Sequence, residues 1–253
     1  MDFTPIEAML RAVDGTATMF YKNLTTGEEW QWRSDEPVNA ASVIKIPVMI
    51  EAFAQMAEGK LNAQERFALR DADRLPSCGA LKTLHEGIEL TAMDLVKLMI
   101  ILSDNTATNM LVKRVGLEAV NARLEALGLE KTRMRRLLFD RAASAKGLRN
   151  TITAREIGEL LERMYRGEIV GAAACEAMLE ILKDQRLNGK MPFFLHAQGI
   201  ACAHKTGEDA TVTHDCGIVY AGEPFVLCFC SEGVNVAAFE RVMQDATRLL
   251  AGV

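Results

Sequence analysis

Strand-like sequence is confined to the two ends of this chain, and that distribution constrains its fold more than any other feature. Thr16 to Leu24 and Glu28 to Arg33 are rich in β-branched and aromatic residues and flank Thr25-Thr26-Gly27, which reads as a hairpin. Three more such runs, Ile200 to Thr206, Val212 to Tyr220 and Pro224 to Cys230, come late and are separated by glycine-containing turns. The roughly 150 residues between have the helical period. A single sheet must therefore take its two halves from opposite chain ends, with a helical segment inserted between them. The expected class is α+β, with residues 1–40 and 197–253 as a sheet lobe and 41–196 as a helical lobe, forming one compact unit.

Local signals mark the helices. Thr4-Pro5-Ile6-Glu7 reads as a capping box with Thr4 as N-cap. Asn39 to Met56 is apolar on one side, Thr91 to Leu102 opens with the pair Thr91 and Asp94, and Thr106 to Val115 stops at Gly116. Thr153 to Tyr165 and Cys175 to Lys183 are amphipathic, and Val236 to Ala251 follows Asn235 as cap. The terminal helices are expected to cover one sheet face. No internal repeat or flexible linker is visible.

Composition removes several function classes. The net charge of −5 comes with dispersed Lys and Arg and no basic stripe, so nucleic acid is not an expected partner. The longest apolar runs, Leu98 to Leu102 and Ile169 to Cys175, fall far short of the roughly 18 residues needed to span a bilayer. Asp2, Glu7 and Arg11 interrupt the first residues where an export signal would be apolar, so the chain as written is expected in the cytoplasm, an exported form with its leader removed being the alternative. A monomer is expected; no cofactor is expected, and no metal, since the six Cys and four His show no ligand spacing. Free buried thiols are the preferred reading of the cysteines, with a Cys202–Cys216 cross-strand bridge as the alternative.

Three short strings carry chemistry: Ser42-Val43-Ile44-Lys45, Ser103-Asp104-Asn105 and Lys205-Thr206-Gly207. Each alone is ordinary, since an exposed helix, a helix cap and a strand end produce them without function. In this order, on a helix start, an inter-helix turn and a strand, they place a nucleophile beside a base. Ser42 needs its proton removed, and Lys45, one turn on, can lose its own proton if desolvated. Asp104 is read as the residue that holds the inter-helix turn by accepting from backbone N–H groups. Lys205 and Thr206 offer a positive charge and a hydroxyl to a carboxylate, and Gly207 permits close approach to the backbone. His204 and His214 are read as structural. The cleft between sheet and helical lobe is the expected location.

These strings make the chain resemble the class A β-lactamases and penicillin-binding proteins, from about Gly15 to the C-terminal helix. The resemblance implies a β-lactamase/transpeptidase-like fold and an acyl-enzyme at Ser42. It further implies that Ser103 relays a proton between Lys45 and Lys205 to the departing nitrogen, and that Asn105 grips the substrate's amide side chain. The N–H groups of Ser42 and Glu208 would form the oxyanion hole, although relatives carry a small residue where Glu208 stands. The arginine that supports the substrate carboxylate in many relatives is not visible, because Glu208 to Glu240 holds no Arg or Lys.

One family motif is absent. The Glu-x-x-Leu-Asn loop, whose Glu activates the deacylating water, is replaced by Arg133 to Arg141, with Leu138 or Phe139 where the Glu would fall. Asp140 is the nearby carboxylate, read as an ion-pair partner of Arg136 or Arg141 in preference to a general base. The expected activity is a serine hydrolase that hydrolyses a β-lactam or related amide or ester with slow deacylation. The alternatives are a D-alanyl-D-alanine carboxypeptidase or esterase-like hydrolase, and a sensor or binding module acylated once without turnover.

Overall fold

The computed structural model describes residues 1–253. Its sheet is built from both chain ends. The hairpin of β1 (Thr16–Asn23) and β2 (Glu29–Trp32) turns at Asn23, whose Oδ1 accepts the N–H groups of Thr25 (2.8 Å) and Thr26 (2.9 Å). Two very short strands follow, β3 (Val38–Asn39), paired with β6 (Thr151–Ile152), and β4 (Arg66–Ala68), paired with β5 (Glu89–Thr91). The late meander consists of β7 (Cys202–Asp209), β8 (Val212–Val219) and β9 (Phe225–Glu232). The five long strands form one antiparallel sheet in the order β2-β1-β9-β8-β7, so β1 and β9 join the two chain ends and β7 is left as an edge.

Alternation along the strands divides two apolar clusters. Met19 and Tyr21 of β1 face α1 (Thr4–Arg11) and α9 (Val236–Ala251), packing with Ile6, Leu10, Phe239 and Met243. Phe20, pointing the other way, joins Val226, Ile218 and Cys216 in a larger cluster with the helices of the 41–196 segment. Those helices are α2 (Lys45–Ala57), α3 (Ala92–Ile101), α4 (Asn105–Val115), α5 (Leu117–Ala126), α6 (Arg141–Ala145), α7 (Ala154–Tyr165) and α8 (Ala172–Lys183). Helix α7 lies on the sheet because Gly158 has no side chain: a Cβ there would come within 2.3 Å of the Phe20 ring. Helix α2 is apolar nearly all round and buried at every position from Lys45 to Gln55, as a central helix must be. No helix is long and apolar enough to cross a membrane.

Three local expectations are corrected. The N-cap of α1 is Phe3, and the Thr4 N–H is satisfied instead by the Asp2 carboxylate at 2.9 Å. The helix expected from Asn39 is broken into β3, a 3₁₀ turn over Ala41–Ile44, and α2, with Ala41 at φ 41°. No Cys202–Cys216 bridge exists: all six cysteines are free, Cys202 lies opposite Val219, and Cys216 lies opposite Cys228 with its Sγ 3.7 Å from that of Cys230. Helix α3 keeps its capping box, Thr91 and Asp94 bonding each other's backbone N–H groups.

Candidate active site

The 3₁₀ turn matters because it has three residues per turn, so Ser42 and Lys45 stand directly above one another. Lys45 Nζ is 2.9 Å from Ser42 Oγ, 3.0 Å from Ser103 Oγ, 2.8 Å from the Ser103 carbonyl and 2.9 Å from Asn105 Oδ1. The four partners are all within hydrogen-bond distance of the one nitrogen. The neutral amine that burial favours would have two N–H groups for the carbonyl and the Asn105 amide oxygen and a lone pair for one of the two serine hydroxyls, so either serine can hand it a proton. Burial, and next to it the charge of Lys205, hold Lys45 well below the ordinary lysine value.

Ser103 sits in the left-handed region at φ 52°, between α3 and α4. Its neighbour Asp104 stabilises this turn by accepting from Ala107 N and Leu81 N, each at 2.9 Å, while buried completely. Ser103 Oγ also lies 3.1 Å from Lys205 Nζ, so one hydroxyl bridges the two lysines. Lys205 donates to the Thr206 carbonyl at 2.7 Å. The positive charge expected from sequence depends on pH, because burial brings the pKa of Lys205 down to about 7, with Asp215 opposing and Lys190 assisting.

Strand β7 supplies the facing wall. The Tyr220 N–H donates to Ala201 O, so in this unbroken register Gly207 and His214 form a hydrogen-bonded pair and Glu208 does not. The N–H of Glu208 therefore points off the free edge of β7, toward the cleft. Ser42 N–H donates to nothing within the protein. Gly207 lets β7 approach this turn, since a Cβ there would meet His214 Cδ2 at 2.9 Å, Val43 Cγ2 at 3.2 Å and Ala41 Cβ at 3.3 Å. The Thr206 hydroxyl makes no hydrogen bond within the protein.

Glu208 resolves a puzzle of the sequence. Its carboxylate turns to Lys190 Nζ at 3.0 Å, and Lys190 is buried and also reaches the carbonyls of Gly207 (3.2 Å) and His214 (3.3 Å). A cation does stand behind this wall, contributed from ahead of β7 rather than after it. His204 pairs with Asp215 at 2.7 Å and Asn188 at 2.9 Å. His214 faces Asn39 O at 2.7 Å and accepts from Ser231 N, and burial brings its pKa down to about 4, which leaves it neutral.

A cavity of about 520 Å³ opens in front of Ser42, bounded by Asn105, Leu138, Asp140, Arg141 and Glu208. Asn109 clamps Leu138 on both sides of its backbone, accepting from its N–H at 3.0 Å and donating to its carbonyl at 2.9 Å. Asp140 borders the cavity and caps α6, its Oδ1 accepting from Ala143 N at 2.9 Å. The expected ion pair with Arg136 or Arg141 is absent, and the Arg136 guanidinium is spent on the carbonyls of Leu137 and Leu148. Sequence reasoning missed Lys190, which had no motif around it. It also missed Asn109, which a helical turn of four from Asn105 could have suggested.

A family model described as the beta-lactamase enzyme family matches residues 4–252. The chain belongs to that family. Among curated relatives, beta-lactamase L2 of Stenotrophomonas maltophilia is 31% identical over 183 residues, a match covering 72% of this chain and 60% of that protein's length. A beta-lactamase-family structure from Sphaerobacter thermophilus superposes with a TM-score of 0.93 at 31% identity, covering 100% of this chain and 98% of the other. The structure of PBP-A superposes with a TM-score of 0.88 at 28% identity, covering 98% and 93%. The fold of this beta-lactamase-family chain is thus the α+β arrangement expected from the positions of its strands and the β-lactamase/transpeptidase-like fold implied by the resemblance of its motifs.

Proposed function

We propose that the protein is a serine hydrolase of β-lactamase type that forms an acyl-enzyme at Ser42 and releases it slowly. The observation that carries this reading is the 2.9 Å contact between the depressed-pKa amine of Lys45 and Ser42 Oγ. Neutral Lys45 takes the Ser42 proton as Oγ attacks the carbonyl carbon of a β-lactam or related amide or ester. The developing oxyanion is met by the N–H groups of Ser42 and Glu208. As the C–N bond breaks, the nitrogen takes the Ser103 hydroxyl proton, which the Lys45 ammonium replaces. Lys205, protonated below about pH 7, and Thr206 receive the substrate carboxylate, and Asn105 its amide side chain.

Release requires an activated water, and the residue whose backbone Asn109 holds at the cavity is Leu138, whose side chain cannot accept a proton. The relative PBP-A bears on the acylation step, for a leucine-to-glutamate mutant of it is described as an acyl-enzyme complex with penicillin G. A second reading, cleavage of D-alanyl amides or esters in which a β-lactam acts as a slow substrate, uses the same acylation parts and differs only in release. A module acylated once without turnover is the limiting case.

Intact mass followed over time after mixing with benzylpenicillin tests the proposal. One equivalent of long-lived adduct is expected, absent in Ser42→Ala. A labelled peptide lacking Ser42, or equal labelling of Ser42→Ala, would refute it. A D-alanyl peptide or ester consumed faster than the penicillin ester is released decides for the second reading.

A further inference from the structure

We propose that Lys190 is a positioning residue for the oxyanion hole, acting through the peptide that joins Gly207 to Glu208; the inference rests on the acylation reading above. That peptide has its N–H and its carbonyl on opposite sides of β7. The N–H belongs to Glu208 and faces the cleft, whereas the carbonyl belongs to Gly207 and faces β8, by the ladder parity that pairs Gly207 with His214. A carbonyl oxygen has two lone pairs, and the ladder uses one. Lys190 Nζ takes the other at 3.2 Å. An ammonium on the oxygen end of a peptide withdraws electron density from it and strengthens the N–H at the other end as a donor.

The surroundings of Lys190 suit this role. Its Nζ is held by the carbonyls of Gly207 and His214 and by two carboxylates, Glu208 at 3.0 Å and Glu240 at 3.5 Å, the latter on α9. The ammonium is buried, so its bond to Gly207 O is not diluted by water. It bridges adjacent strands near the end of β7, and its ion pairs join the Glu208 side chain to Glu240 of α9. Glu208 serves the cleft with its backbone and Lys190 with its carboxylate.

The experiment compares Lys190→Met and Lys190→Arg with the wild-type protein in three readouts. The acylation constant with a fluorescent penicillin is expected to fall about tenfold in Lys190→Met, less than the ~10²–10³ lost when an oxyanion donor is removed outright. The affinity for a boronic acid, whose tetrahedral adduct places an oxygen in the same hole, should fall by the same factor. The ester carbonyl stretch of the penicillin adduct should move to higher frequency, as a weaker donor polarises it less. Lys190→Arg should restore most of each effect. If Lys190→Met does not fold, Lys190→Gln, which keeps a neutral donor, should give an intermediate loss.

A folded Lys190→Met with acylation, boronate affinity and carbonyl stretch unchanged overturns the proposal. A further readout needs no substrate: the amide proton resonance of Glu208 should move upfield in Lys190→Met, and an unmoved resonance likewise overturns it. Failure of the wild-type protein to be acylated by any β-lactam or ester would refute the acylation reading alone, and the Glu208 resonance would still decide the role of Lys190.

Discussion

Lys205→Met should make the protein more stable, and by an amount that depends on pH. The lysine is fully buried, and burial lowers its pKa from 10.5 to about 7. At about 1.36 kcal/mol per pKa unit, the folded state bears about 5 kcal/mol for this group at pH values below 7, where both folded and unfolded chains would hold the proton. Between about 7 and 10.5 the unfolded chain binds the proton and the folded chain does not. Wild-type stability therefore rises with pH across that window, and the cost is gone above it. The hydrogen bonds to Ser103 Oγ and Thr206 O that methionine forfeits are worth about 1 kcal/mol each and are insensitive to pH.

The pH dependence thus isolates the buried charge. The advantage of Lys205→Met over the wild type should shrink by about 2.5 kcal/mol from pH 6 to pH 9, or about 5–10 °C in relative Tm for a chain of this size. Thermal melts or urea titrations of both proteins at the two pH values read it directly. A gap that stays constant would mean that Lys205 keeps its ordinary pKa and that desolvation does not govern the site. Activity should move the other way, with acylation of carboxylate-bearing substrates largely lost in the variant.

Lys45→Arg should fold yet acylate at least ~100-fold more slowly, because a guanidinium does not give up its proton; unchanged labelling by a fluorescent penicillin would make Lys45 a spectator. Leu138→Glu, placing a carboxylate on the backbone that Asn109 clamps, should shorten the lifetime of the penicillin adduct by ~10²–10⁴-fold, measured by intact mass; an unaltered lifetime would move the missing base elsewhere. Rapid mixing of the wild type with nitrocefin should give a burst near one equivalent and then slow turnover, and fast steady turnover abolished by Asp140→Asn would identify Asp140 as the base. Gly207→Ala should lower acylation at least ~10-fold while the protein stays folded, as its methyl would meet His214, Val43 and Ala41 and force β7 away from Ser42.

What was legible in the sequence depended on short-range chemistry. Asp104 was readable as a turn-holding residue because an Asp before a helix accepts from N–H groups two or three residues on, and Ala107 N does donate to it. The end strands were readable because their period and glycine turns are local. Where an interaction joins distant segments, the signal fails. Lys190 lies 17 residues ahead of the Gly207 carbonyl it meets, and nothing in Asn188 to Pro192 marks it. Strands β3 and β6 have two residues each, too few for any periodicity. Arg136 looked like a partner for Asp140 by proximity in sequence, but the folded loop offers it carbonyls and gives Asp140 a helix N-terminus. The state of Lys205 was unreadable because its pKa follows from burial, which only the assembled sheet and helices create.

Backbone strain is concentrated where the cavity is. Six non-glycine residues have positive φ, and four of them, Ala41, Ser77, Ser103 and Phe139, line the cavity or bond directly to its lysines. Each costs about 1–3 kcal/mol and persists only where its surroundings over-determine it. Those surroundings can be named. Asn39 Oδ1 accepts from Ala41 N, the Asp104 carboxylate fixes the residues after Ser103, and Asn109 holds the residue before Phe139. Asn150 in turn accepts from Arg135 and Arg136 and donates back to the Arg136 carbonyl, closing the loop that carries Leu138. Buried or half-buried polar side chains thus hold strained backbone against two desolvated lysines, and the large apolar cluster behind α2 supplies the stability that lets them do so. Within that frame, the proposed function turns on a single apolar side chain, that of Leu138, where release of an acyl group would need a carboxylate. The carboxylate can be added there without rebuilding its support, because Asn109 holds the backbone rather than the side chain.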